Sequence, residues 1–307
     1  MANRFAFQRK VEMIQPGRAE FHVGIMSVVI ALLTLVLSGT STAFAAPLHV
    51  IYPRSFSDAD TRGGYYIKLL DLALSKTGIQ YELRPNEFQM VGARMLQKLE
   101  ANDGIDVTWG PTTREYERRV LPIRIPLDKG ILGWRLFLIN ARDRRLFENI
   151  ESLRQLQKYS AGQQREWADT TILRASGLPV VDVTSYEWLF GMLAAERFQY
   201  FPRGVGEIWD EQKSHADLGL VVEQHLALHY PAYTYFFVSK SNAKLSGLIE
   251  KGLRAAINDG SFDKLFEQYN GDAVKRAHLK TRTVFELNNP LIPEQTPTQE
   301  HENSIRP

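Results

Sequence analysis

The chain has 307 residues, 44% apolar and 23% charged, enough for one large domain or two ordinary ones, and these values exclude disordered and collagen-like classes. Its formal charge of +2 comes from the first 45 residues, where Arg4, Arg9, Lys10 and Arg18 outnumber Glu12 and Glu20; the rest is balanced, lacks a global field to gather phosphates, and is not expected to bind nucleic acid. With no cysteine, disulfides, thiol catalysis, thiolate zinc sites and a lipid-modified N-terminal cysteine are excluded, while either redox compartment is tolerated.

Residues Gly24 to Leu37 form an uncharged apolar run preceded by basic residues. A spanning helix needs about 20 apolar residues, and this run is nearer a signal-peptide core. Ser38 to Thr42 is small and polar, and Ala43-Phe44-Ala45 supplies a small-x-small cleavage pattern. Residues 1–45 are therefore read as a signal peptide, with the mature chain starting at Ala46 in the periplasm. An uncleaved inner-membrane anchor is the alternative, because the run reaches spanning length when extended through Phe44.

After Ala46, strand and helix patterns alternate. Leu48 to Tyr52 reads as a strand stopped by Pro53; Tyr65 to Lys76 as a helix ending near Gly78; Ile79 to Leu83 as a strand. Met90 to Leu99 is helical, and Ile105 to Trp109 is a strand after the Asn102-Asp103-Gly104 turn. A second round follows. It has a long strand at Ile131 to Ile139, a helix at Ile150 to Gln157, a helix from Thr170 to Ala175 and a strand at Pro179 to Val183. Tyr186 to Glu196 is helical, Phe198 to Phe201 a strand, and Ala232 to Ser239 another long strand. Asn242 to Ile257 and Phe262 to Tyr269 close the fold as helices, and the polar tail is expected to be disordered.

Such alternation implies an α/β protein with parallel or mixed sheets. Two units joined by long strands near residues 134 and 234 give two lobes with a cleft between them. The first lobe is assigned 46–134 and 234–292, the second 135–233, and the tail 293–307. Open sheets bind ligands beyond the carboxyl ends of their strands, so the interlobe cleft is the expected site and hinge closure the expected motion.

The segment Ala232-Tyr-Thr-Tyr-Phe-Phe-Val-Ser-Lys-Ser-Asn-Ala-Lys-Leu, followed by Asn258-Asp259-Gly260-Ser261-Phe262 to Tyr269-Asn270-Gly271, resembles the closing part of family 3 periplasmic solute-binding proteins, which have the type II periplasmic binding fold. Asp106-Val-Thr-Trp-Gly110 with Glu117-Arg118, Ser152 to Leu156, and Ser185-Tyr186 through Phe198 fit the same order, and the resemblance spans about Leu48 to Gly271. It implies a ligand carboxylate bound by Arg118. This chain departs from the family at Pro202-Arg203-Gly204, where an acid would hold an α-ammonium, at Gly162-Gln163-Gln164-Arg165, and at Pro122-Ile123-Arg124-Ile125-Pro126. A zwitterionic α-amino acid is put in doubt.

Arg118 and Arg203 are the leading binding candidates, because a guanidinium grips a carboxylate with two parallel hydrogen bonds. For Arg203, set after a strand end, the plain alternative is an ion pair with Glu207 or Asp210; for Arg118, an exposed charge. Trp109, Tyr52 and Phe56 follow or end strands and could stack a ligand, or simply fill the core. Asp169-Thr170-Thr171 reads as a helix N-terminus, with Thr170 a candidate anion ligand or a plain cap, and Gln163 and Trp167 precede it. His225 and His229 are four apart, yet a metal is not expected, because no third ligand is evident and Leu218 to Leu228 also alternates as a strand. No G-x-S-x-G, phosphate loop or G-x-G-x-x-G motif is present, and no cofactor is expected.

These readings predict a monomeric extracytoplasmic protein that captures a small polar, anionic solute for an ABC permease or a sensor. The resemblance also admits an enzyme of the cyclohexadienyl dehydratase kind on the same fold. A third possibility is an envelope signalling or assembly module with a vestigial cleft.

Overall fold

The computed structural model describes residues 46–54, 63–90 and 92–293. Residues 1–45, read above as a signal peptide, Phe56 and the tail from residue 294 lie outside the described residues.

In chain order the elements are β1 (Leu48–Tyr52), α1 (Gly64–Ser75), β2 (Tyr81–Pro85), α2 (Gly92–Glu100), β3 (Val107–Pro111), α3 (Arg114–Arg119) and β4 (Leu121–Ile123). Next come β5 (Trp134–Asn140), α4 (Arg144–Phe147), α5 (Leu153–Leu156), β6 (Ala161–Gln164), α6 (Ala168–Ala175), β7 (Val180–Val183), α7 (Tyr186–Ala194) and β8 (Tyr200–Gly204). The chain ends with α8 (Ile208–Ser214), β9 (Leu220–Val222), β10 (Leu226–His229), β11 (Thr234–Val238), α9 (Ala243–Asn258), α10 (Ser261–Ala277) and β12 (Thr283–Glu286). No helix of the described residues is long and apolar enough to cross a membrane.

The first lobe holds a parallel β1–β2 pair and a three-stranded sheet in the order β3-β11-β4. Asp106 stitches the two together, its amide donating to the Ile51 carbonyl and its carboxylate accepting from the Ile51 amide at 2.8 Å. The second lobe is a seven-stranded mixed sheet, β12-β10-β5-β8-β6-β7 with β9 also on β5. Both long strands are buried on two faces. In β5, Leu136 and Leu138 enter one apolar core while Phe137 and Ile139 enter another; in β11, Phe236 and Val238 face one core and Tyr235 and Phe237 the other. That burial explains why each reads as a continuous apolar run rather than an alternating one.

Three expectations change. Ile131–Gly133 is a single 3-10 turn entered through Gly130 at φ 81°, and the strand starts only at Trp134. The turn presses Gly133 against the Tyr230 carbonyl, where a Cβ would overlap it. The strand expected at Phe198 to Phe201 runs from Tyr200 to Gly204 instead, so Arg203 lies inside it. Finally, residues 283–286, grouped with the first lobe in the sequence reading, form β12, parallel to β10 in the second lobe's sheet. At four residues, with Thr283 and Glu286 at its ends, β12 is too short for its periodicity to register in the sequence.

Candidate functional site

The carboxyl ends of β3, β6 and β8 and the start of β5 bring together the polar residues where the lobes meet. Arg135, one residue into β5, is buried; its Nε donates to Asp169 at 2.6 Å and its Nη1 to the Leu132 carbonyl. Asp169, in the first turn of α6, also accepts from the Tyr230 hydroxyl, and the guanidinium stacks over the Tyr230 ring. Burial opposes both charges, but each ion stabilises the other: the Arg135 pKa ends above its ordinary value and the Asp169 pKa below its own.

Arg203 forms a second closed pair. Its Nε and Nη2 grip Glu211 at 2.7 and 2.5 Å, and Nη2 reaches Glu207 Oε1 at 3.0 Å. Its guanidinium lies 4.7 Å from the Trp167 ring and 4.7 Å from the Phe201 ring, while Tyr186 donates to Glu211. Arg203, a leading carboxylate-binding candidate from sequence, is therefore already held by acids. Its ion-pair alternative is realised, with Glu207 as named and with Glu211 in place of Asp210, because α8 turns one face of Glu207 and Glu211 back over β8.

The first lobe contributes Tyr66, stacked on Trp109 at 5.7 Å, with Tyr52 beyond at 6.4 Å. Behind it the Thr234 hydroxyl donates to buried Asp128 at 2.8 Å. Burial, then the charges of Asp128 and Glu207, push the Tyr66 pKa up. Arg135 in turn feels Glu207 and Asp128. The cluster thus contains two guanidinium groups and four carboxylates: Asp128, Asp169, Glu207 and Glu211. Both cations are already paired.

Asp128 is pushed up to about 6, mainly by burial, while hydrogen bonds from Thr234 and Gly130 work the other way. The folded state then holds this proton more tightly than the unfolded chain, whose aspartates titrate near about 3.9. Its contribution to stability is full below that value and is lost as pH rises through about 6. Asp128→Asn should remove this falling component, seen as a flatter urea-midpoint profile between about pH 4 and 6. An unchanged slope would refute the assignment.

The other candidates are placed as follows. Arg118 is exposed on α3 and makes none of the contacts that link the cluster; its neighbours Tyr116 and Glu117 face inward, Glu117 accepting from Thr112 at 2.7 Å. Thr170 donates its hydroxyl to the Gln164 carbonyl at 2.8 Å, and fully buried Gln163 donates to Pro202 at 3.3 Å, with its Oε1 unpartnered. Trp167 lies parallel to Phe201, 6.3 Å away, beneath Arg203. His225 and His229 bracket strand β10 and not a helix; His229 contacts Glu286 at 2.6 Å. Among the described residues no group of His, Asp and Glu could hold a metal. Sequence reasoning missed Tyr66, Asp128, Arg135 and Glu211. Arg135 carried a signal, a charge inside the apolar run Trp134 to Ile139, which is costly to bury unless paired.

No protein-family model matches the chain, and no curated protein matches it either. Solved structures do. The probable amino-acid ABC transporter extracellular-binding protein ytmK from Bacillus subtilis is 16% identical over 74% of this chain and 99% of its own, with TM-score 0.56. An ancestral arginine-binding protein bound to arginine is 20% identical over 74% and 99%, with TM-score 0.51. A histidine kinase sensor domain with similarity to periplasmic binding proteins is 16% identical over 75% and 98%, with TM-score 0.51. The chain has the two-lobed type II periplasmic binding fold.

Proposed function

We propose that this chain is an extracytoplasmic solute-binding protein, binding and not transforming a small polar solute that carries a cationic group, and handing it to a transporter or reporting it to a sensor. Three things support the role: the fold, the export-like N-terminal sequence, and the roles of its structural neighbours, which include a probable transporter component and a sensor domain. The observation that favours a cation is the charge balance where the lobes meet. The anionic solute inferred from sequence needed Arg118 and Arg203 free to meet it. Arg203 and Arg135 are instead neutralised, and acids outnumber them.

Glu207 is the ligand contact of choice. Its side chain is 42% exposed, and its bonds to Arg203 and to the Gly204 amide both end on Oε1. The Tyr66–Trp109 stack of the first lobe offers π-faces, which attract ammonium and guanidinium groups. Calorimetry with putrescine, arginine, succinate, glutamate and glucose at neutral pH tests the reading. A cation should bind best, and Glu207→Gln should weaken it by about tenfold or more. A preferred dicarboxylate or sugar, or an unaltered affinity in the variant, would overturn it.

A further inference from the structure

We infer that residues 272–292 form a strap that fastens the second lobe to the first and restrains hinge motion. The segment begins just past Gly271, the last residue on which the family resemblance rests. Two strand connections were expected between the lobes; the strap adds a third route, which the chain takes out and back.

The outward crossing is helix α10, 17 residues long. Its first half belongs to the first lobe: Phe262 and Phe266 are buried in that core, Tyr269 lies 5.7 Å from Tyr65, and Asp263 pairs with Lys129 at 2.6 Å. Its last turns belong to the second lobe. Ala277, and Leu279 just beyond the helix, are buried in the core of β5 and α7, and Arg276 sits 4.2 Å over the Trp209 ring. Val274 touches both cores. A rigid helix seated in two lobes cannot follow a large rotation of one against the other without unseating an end.

The strap is then locked into the second lobe. Buried Arg282 donates to the carbonyls of Ala277, Glu223 and Leu226 at 2.6, 2.7 and 2.9 Å. Strand β12 lies along β10, with the Thr283 and Leu287 amides donating to His225 and His229, each at 2.7 Å, and Phe285 and Leu287 enter the core. The return crossing follows at once. Asn289 donates to the Pro231 carbonyl at 2.8 Å, the Arg114 amide donates to Leu291, and Ile292 packs on the first-lobe core around Tyr235. Hinge-bending proteins rotate about a few connecting residues; here any opening must first peel β12 or lift the 289–292 segment.

Because the chain has no cysteine, spin labels can be placed uniquely at Lys251→Cys on the first lobe and Arg154→Cys on the second, both exposed. Pulsed electron resonance on the whole chain should give one narrow interlobe distance. Adding Thr283→Pro and Leu287→Pro, which deletes both 2.7 Å strand bonds, should broaden it or add a longer population. Hydrogen exchange confirms that β12 has been released. Release with an unchanged distance distribution would overturn the strap. Should the double proline variant fail to fold, exchange in the unaltered chain decides. Protection of the Thr283, Phe285 and Leu287 amides matching that of β10 supports the strap, whereas exchange on the order of 100-fold faster than β10 refutes it.

Discussion

Asp169→Ala is expected to destabilise the protein by about 3–5 kcal/mol, because it strands the Arg135 guanidinium in a site from which water is excluded. Arg135 is 6% exposed, and its remaining partner is one backbone carbonyl. The Tyr230 hydroxyl, which donates to the same carboxylate, is orphaned as well. For a chain of this size each kcal/mol moves the melting temperature by roughly 2–4 °C, so a drop on the order of 10 °C should appear in a thermal melt. Replacing both partners, Arg135→Met with Asp169→Leu, should recover much of the loss, since the cost lies in the unpaired charge. The pH dependence has the opposite sign to that of Asp128. Arg135 holds the folded Asp169 pKa below its ordinary value, so the stabilisation is present above the usual carboxylate range and fades as pH falls through the folded value. The gap between wild type and Asp169→Ala should therefore narrow in acid. A single-variant loss under about 1 kcal/mol would show that the pair is not desolvated as the geometry requires.

Gly252→Ala should cost about 1–3 kcal/mol, although the same change in an open helix position usually gains up to about 1 kcal/mol. Gly252 lies where α9 crosses α1, and a Cβ there would overlap the Ala73 carbonyl and its carbon. Backbone cannot swing aside as a side chain can, so the two helices would have to separate and open the core of Leu69, Leu70, Ile249 and Leu253. Gly247, on the same helix with nothing within 4 Å of its Cβ position, is the internal control and should tolerate or favour alanine. Denaturant melts of the two variants side by side separate the effects. Equal behaviour at both positions would refute the close helix crossing.

By itself the sequence determined the alternating α/β order and the two-lobed division. These are written in local periodicity: apolar faces repeating along α1 and α9, and unbroken apolar runs at β5 and β11. It also brought forward Trp109 and Arg203 near strand ends, Asp169-Thr170 at a helix N-terminus, and Trp167 on the loop before it. Only the tertiary structure decided what they do. Whether Arg203 is a free cation or a neutralised one depends on where α8 places Glu207 and Glu211, eight residues away at the farthest and on another element. Asp169 meets Arg135 across 34 positions and Tyr230 across 61, and Thr234 meets Asp128 across 106. The β12 strap was equally hidden, since its four residues show one buried side chain and its partner strand lies 57 positions upstream. Periodicity records which face of an element is buried; it does not record which charges burial brings together, and that pairing sets the sign of the site.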